Sequence, residues 1–310
     1  DGEPGLLCRA VRAQGARGGR GGLVLLPKPL DRRGERRRSP LLEAAYLARR
    51  LAEAGLKGLV FAGARKSAEL IARYAAHPLV RPYRAGYTAR ERRRLEADLK
   101  EGRVRVLVST SALELGVDIG ELDAVVLVGY PGSTAAFWQR AGRAGRGERR
   151  ALLVYIPRED PMDEYFLHRP ALLLESPPEE AVADPQNPVL CPLHLHAAAR
   201  EKPLLAEELL CPEARATLKE RNGRFFTPKR NPHREITLRG LGATFTLRGP
   251  DGEVLGYLDE RQAYWEAHPG AIYLHQGESY LVRNVDLARR EVWLLPALED
   301  CYTEPRAETD

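Results

Sequence analysis

Residues 104–130, "VRVLVSTSALELGVDIGELDAVVLVGY", hold two nearly unbroken apolar runs on either side of a loop rich in Ser, Gly and acidic residues. A strand with one wet face alternates apolar and polar positions. These runs do not, so they read as strands of a parallel sheet covered on both faces. The same unit recurs toward the N-terminus. "LLEAAYLARRLAEAG" (41–55) has helical periodicity and stops at Gly55, "LKGLVFA" (56–62) is a buried strand, and "ARKSAELIARYAA" (64–76) is helical up to Pro78. "VRPYRAGY" (80–87) is short and extended. "TARERRRLEADLKEG" (88–102) is a helix opened by a Thr88–Glu91 capping box and closed by Gly102, and Ser111 with Glu114 forms a second start signal of the same kind. Further on, "STAAFWQRAG" (133–142) is helical and "RRALLVYI" (149–156) is a strand. Alternating strands and helices of this kind make an α/β lobe over 41–160.

In such sheets ligands bind beyond the carboxyl ends of the strands. Here those ends are "FAGARK", "VSTSALELG" and "GYPGS", the stretches with unusual Gly, Ser and Arg content. Just past them, "FWQRAGRAGR" (137–146) spaces Arg140, Arg143 and Arg146 three residues apart, with Gly142 and Gly145 before two of them. Glycine weakens a helix by about 1 kcal/mol relative to Ala, so its presence points to a need for close backbone approach beside planar positive charge. Phosphate is the ligand that wants both.

Charge is distributed unevenly. Residues 1–160 carry 31 Lys and Arg against 18 Asp and Glu, whereas residues 161–310 carry 17 against 25. The front half is therefore the partner expected for a polyanion. Of the 48 basic residues 41 are Arg, which limits what any single Arg can mean. The four cysteines form no CxxC pair, so neither a disulfide framework nor a four-thiolate zinc site is indicated. No apolar run approaches membrane-spanning length, and a cytoplasmic protein is the expectation. The chain starts on Asp1 and has one methionine, Met162, which reads as a piece of a longer protein.

Outside the lobe, residues 1–40 read as a Gly- and Arg-rich lead-in with one candidate edge strand, "GLVLLPKPL". After Ile156, Pro-rich stretches surround short helical segments, followed by "GRFFTPKRNPHREITLRG". This pattern predicts a winged-helix-like module over 161–235. The hairpin segment 221–239 carries six basic residues against one acid, and Phe225 and Phe226 between them are either core or base contacts. From 236 to 303 short alternating runs around Gly and Asp turns predict a small antiparallel β domain, and 304–310 is a tail.

Four ordered motifs give the lobe a family resemblance. "LVFAGARK", "YRAGYTARER", "VSTSALELGVDIGELDAVV" and "QRAGRAGR" follow one another as in superfamily 2 helicases of the DEAD/DEAH-box kind. "NPVLCPLHLHAAARE" and "GAIYLHQGESYLVRNVDLARREVWLLPALEDCYTEPR" resemble more particularly the MrfA/YprA-type DNA-repair helicases, relatives of the RecQ-like repair helicases. The resemblance implies a second RecA-like lobe, with ATP and Mg2+ shared with a first lobe lying before residue 1. It also implies DNA as partner, 3′-to-5′ polarity, and a cysteine-rich domain after Asp310. It assigns Arg143 and Arg146 as arginine fingers, with Gln139 at the phosphates or the attacking water. Gly116, Asp118, Gly142 and Gly145 fall at the nucleotide, with Asp118 accepting from ribose hydroxyls. Arg65, Lys66, Arg84, Thr88 and Thr110 fall at positions that grip a single-stranded backbone. Each of these could equally be a cap or a solvated charge. An RNA helicase, or a binding module without catalysis, carries the same motifs.

Two stretches imitate chemistry. "GARKS" lacks the spacing of a phosphate loop, and the Asp-Glu pair of "DPMDEYF" follows no apolar strand, so this chain alone is expected not to hydrolyse ATP. "CPLHLH" offers Cys191, His194 and His196 as metal ligands, but with no second cluster nearby it reads as the opening of a helix, and no metal site is expected.

Overall fold

The computed structural model describes residues 9–14, 20–25, 38–145, 151–180, 182–236, 243–297 and 302–303. Arg146 and the tail at 304–310 lie outside the described residues. The chain divides into two compact units, Asp1–Glu179 together with Thr244–Asp310, and Glu180–Ala243.

The first unit is built on a seven-stranded sheet. Its strands are β1 (Arg9–Gln14), β2 (Arg20–Leu25), β3 (Gly58–Phe61), β4 (Val80–Tyr83), β5 (Val106–Ser109), β6 (Ala124–Val128) and β7 (Ala151–Ile156). They lie in the order β1-β2-β7-β6-β3-β5-β4, all parallel except the β1–β2 hairpin. The expected parallel sheet is present. The candidate edge strand of the lead-in is present as β2 against β7, and β1, which the sequence did not indicate, pairs with β2 and takes the edge.

The helices sort to the two faces. α1 (Pro40–Glu53) and α2 (Arg65–Ala75) pack Ala44, Ala48, Ala68 and Ile71 on one face of the sheet, over Val60, Val106, Val108 and Val126. α3 (Ala89–Glu101) and α4 (Thr134–Ala141) pack Leu99 and Phe137 on the other, over Leu59, Leu107, Val125 and Leu127. Each fully buried Val or Leu contributes roughly 1.5–3 kcal/mol against chain entropy. α3 carries the capping box read from the sequence: Thr88 Oγ1 accepts from the Glu91 amide and the Glu91 carboxylate accepts from the Thr88 amide. The second such signal fails. Ser111–Leu113 is a single 3-10 turn entered from Thr110 without a side-chain cap, because the Glu114 carboxylate is engaged elsewhere, by Arg140.

α5 (Pro161–His168) and α6 (Pro170–Glu175) were expected in a separate module beginning at 161. Their Phe166 and Leu173 instead complete the core beside Phe137 and Tyr155. Asp163, one of the two acids that imitated a catalytic pair, fixes this packing. Fully buried, its carboxylate accepts from the Tyr130 and Arg158 amides at 2.6 and 3.0 Å, and from the Tyr155 hydroxyl.

The second unit holds α7 (Leu190–Glu201), α8 (Pro212–Thr217) and a hairpin of β8 (Lys219–Arg221) and β9 (Arg224–Phe226). The hairpin turns through Asn222 and Gly223, both at positive φ, as a tight two-residue turn requires. Phe225 enters the core with Cys191, Leu195 and Cys211, whereas Phe226 is exposed.

The chain then returns to the first unit as β10 (Thr244–Arg248), β11 (Val254–Asp259), α9 (Glu260–Glu266), β12 (Ile272–His275), β13 (Glu278–Asp286) and β14 (Glu291–Pro296). The sheet order is β11-β10-β14-β13-β12. The sheet is antiparallel as expected except at one seam, where β10 and β14 pair in parallel with β11, α9, β12 and β13 between them in the chain.

Candidate functional site

The loops at the carboxyl ends of β3, β4, β5 and β6 carry the residues singled out in the sequence. The structure sorts them into two groups.

In the first group, α4 and the loop after β5 meet. Arg140 Nε donates to Glu114 Oε2 at 2.8 Å, and its guanidinium lies 5.5 Å from the Phe61 ring centre. Arg143 donates to the Glu114 carbonyl through Nε (2.9 Å) and Nη2 (2.5 Å), and to the Val117 carbonyl through Nη1 (2.8 Å). The sequence placed the Arg143 guanidinium at the nucleotide phosphates. The structure buries it, and its donors hold the backbone of 114–117 from both sides. In this lobe Arg143 braces the 114–117 loop. It shapes a loop on which Gly116, at φ 76°, and Asp118 are exposed. Asp118 pairs with Lys100 at 3.0 Å in an exposed contact that water screens, so exchanging that partner costs little. Gln139 is exposed on α4, Gly142 ends that helix, and Gly145 takes φ 75° while its amide donates to the Leu122 carbonyl. The two bracing arginines thus join the loop that carries Gly116 and Asp118 to the helix that carries Gln139 and ends at Gly142. Arg146 follows Gly145 directly in the chain, outside the described residues.

The N-terminus of α4 is capped twice. Ser133 Oγ accepts from the Ala136 amide, and the Glu179 carboxylate accepts from the Thr134 (2.6 Å) and Ala135 (3.1 Å) amides. These backbone donors hold Glu179 down to about 2. The sequence gave no sign of this partner.

The second group is turned toward the β domain. Arg84 is only 2% exposed, where the sequence expected a nucleic-acid grip. Its Nε lies 3.2 Å from Glu69 Oε1, and its Nη2 donates to the Leu274 carbonyl at 2.9 Å and sits 3.1 Å from His275 Nδ1. Glu69, fully buried on α2, also accepts from the Tyr87 hydroxyl (2.6 Å) and from the Gln276 (3.2 Å) and Gly277 (2.9 Å) amides. Burial works against the Arg84 charge, but Tyr273, Glu69, Tyr87 and Glu266 outweigh it and hold its pKa up. Burial, with Arg84 adding to it, pushes His275 down to about 3, so that ring is neutral.

Arg65 donates to Gln262 Oε1 on α9. Lys66 donates to the Thr303 carbonyl at 3.2 Å and lies over the Tyr302 ring at 3.9 Å. Backbones meet here too: the Tyr257 amide donates to the Gly86 carbonyl at 2.8 Å, and a Cβ on Gly256 would stand 2.4 Å from that oxygen. Arg65, Lys66 and Arg84 thus bind the lobe to the β domain. Thr88 is occupied by its cap, and Thr110 is half-buried at the entry of the 3-10 turn. Glu69 was the missed residue. Its signal was a carboxylate in the middle of an otherwise Ala- and Ile-lined face.

The alternative metal set does not assemble. His196 is hydrogen-bonded through both ring nitrogens, to Thr227 and Thr217 hydroxyls at 2.8 and 3.0 Å. Burial and the neighbouring Cys211 raise the Cys191 thiol to about 11. Among the described residues no group of three or more His, Cys, Asp or Glu is placed to hold a metal ion. Among them, too, no helix is long and apolar enough to cross a membrane.

The chain belongs to the superfamily 2 helicases, and the seven-stranded unit is their C-terminal RecA-like lobe. Residues 42–148 match the helicase conserved C-terminal domain. Over 321 residues the chain is 32% identical to the uncharacterized ATP-dependent helicase YprA of Bacillus subtilis, covering 96% of this chain and 43% of that protein. It is 31% identical over 279 residues to the ATP-dependent helicase hrq1 of Schizosaccharomyces pombe, covering 82% of this chain and 26% of the relative. Among solved structures it is similar to the DUF1998 helicase MrfA bound to DNA and AMPPNP, with a TM-score of 0.78 at 30% identity, covering 95% of this chain and 44% of that one. The chain spans less than half the length of each of these three proteins.

Proposed function

We propose that this chain supplies the second motor lobe and accessory domains of an ATP-dependent 3′-to-5′ DNA helicase that works in DNA repair in the cytoplasm. One observation carries the reading: Arg140 and Arg143 tie α4, on which Gln139 is exposed, to the 114–117 loop, in and beside which Gly116 and Asp118 are exposed. ATP with Mg2+ would be shared with a first lobe, and its hydrolysis supplies the free energy for stepping. On this side, Asp118 accepts from the ribose, Gln139 reaches the phosphates, and Arg146 is the finger that neutralises charge on the transferring group. Arg143 acts through the loop it holds. The Glu180–Ala243 unit serves as a winged-helix-like contact to duplex DNA, with the exposed Phe226 on its hairpin.

The test is DNA-stimulated ATPase of the complete protein with both lobes. Arg146→Ala should lower kcat by about 10³-fold with DNA binding and KM little changed. Arg143→Ala should raise KM for ATP about 10-fold by releasing the loop, a loss of binding geometry. The chain alone should turn over no ATP. Unchanged turnover in Arg146→Ala would remove the finger assignment.

A further inference from the structure

α9 has two unlike faces. Its inner face is anchored: Asp259 caps the helix by accepting from the Gln262 amide at 2.9 Å, Gln262 accepts from Arg65, and Ala263 and Ala267 are buried. Glu266, on the same face, lies in the field of Arg65, Arg84 and Lys66. The outer face shows Arg261 with Tyr264 at i+3 and Trp265 at i+4, so the guanidinium neighbours both rings, which flank it. Tyr264 is 54% and Trp265 50% exposed, and the Tyr264 ring meets Phe245 edge-on at 6.0 Å, which limits its freedom.

Two large aromatic rings left half in water forgo burial that a partner could recover. A partner that buries Leu or Ile would call for aliphatic side chains here. The stripe instead has aromatic faces beside a guanidinium, the combination that stacks bases and meets a phosphate. Its place agrees, since Arg65, which anchors it, follows the carboxyl end of β3.

We propose that the outer face of α9 is a base-stacking platform for single-stranded DNA at this edge of the molecule. This rests on the reading of the protein as a DNA motor. Trp265 and Tyr264 stack successive bases, and Arg261 pairs with the phosphate between them. Asp259 and Glu260 at the start of the helix make the local charge mixed, so the grip comes mainly from stacking.

The experiment is binding of fluorescein-labelled dT20 by the complete protein across a salt series, with ATPase measured in parallel. Trp265→Ala should weaken binding about 10-fold and Tyr264→Ala about 5-fold. Trp265→Phe should remain within about 3-fold of wild type. Stacking releases no counterions, so Trp265→Ala should leave the salt slope unchanged, while Arg261→Ala should lower it by about one. Unchanged dT20 affinity in both alanine variants, with ATPase still stimulated by DNA, would overturn the platform and leave the motor standing. Unchanged affinity with an altered sedimentation coefficient would also overturn it, making the stripe a protein interface. Absence of dT20 binding and of DNA-stimulated ATPase in the wild type would remove the motor reading itself. Melting curves matching wild type establish that a loss of affinity is not a loss of fold.

Discussion

Two sets of arginines stand at the carboxyl edge of one sheet and serve different ends. Arg140 and Arg143 spend their donors within the RecA-like lobe, on the loop after β5, and what they shape stays exposed. Arg65 and Arg84 reach out of the lobe to the β domain, and the contacts of Arg84 are interior. The difference lies in the partner. Arg143 meets backbone carbonyls that remain near solvent, whereas Arg84 meets Glu69, a carboxylate fully buried on the opposite helix. A motif that reads alike in sequence can therefore present a ligand surface or abolish one.

The comparison breaks first at Arg84. Arg84→Ala leaves Glu69 as an uncompensated buried charge, so urea denaturation should show a loss of about 3–5 kcal/mol, partly restored by adding Glu69→Gln. If Arg84 instead faced solvent to grip DNA, stability would change by less than about 0.5 kcal/mol and DNA affinity would fall. Thr88 sharpens it. Thr88→Ala should cost about 1 kcal/mol through the lost cap with dT20 affinity unchanged, whereas a tenfold loss of affinity would return Thr88 to the ligand surface. The smallest effect concerns the cap on α4. Glu179 is held at about 2 when folded, against an ordinary 4.5, so its contribution is complete above pH 4.5 and is lost as pH falls toward 2. The melting-temperature difference between wild type and Glu179→Gln should be constant above pH 5 and close on acidification. A difference that persisted at about pH 2 would mean the carboxylate's charge is not what caps the helix.

Much of the lobe was legible because its physics is local. Continuous apolar runs such as 124–128 have no polar face to place in water, and the Thr88–Glu91 box satisfies itself within one turn. The failures have a common cause as well. Ser111 and Glu114 have the spacing of a cap, but Arg140, 26 residues away, holds the carboxylate first. Phe166 and Leu173 looked like part of a downstream module because nothing near them shows that Asp163 pins α5 beneath Tyr130 and Tyr155. Arg84 carries a charge, and no periodicity distinguishes a charge bound for solvent from one bound for Glu69.

Glu69 also constrains how the chain can reach its native state. Its carboxylate finds the Gly277 amide 208 residues further along, past the whole Glu180–Ala243 unit. α2 can pack its apolar side early, but its polar account stays open until the β12–β13 turn arrives, and closures over such separations are slow. The RecA-like lobe of this protein therefore should not be obtained by stopping the chain near residue 160. A version ending there would carry a carboxylate and Arg84 with their β-domain partners missing, so the smallest faithful unit of the lobe includes strands encoded more than 100 residues after the lobe's last helicase motif.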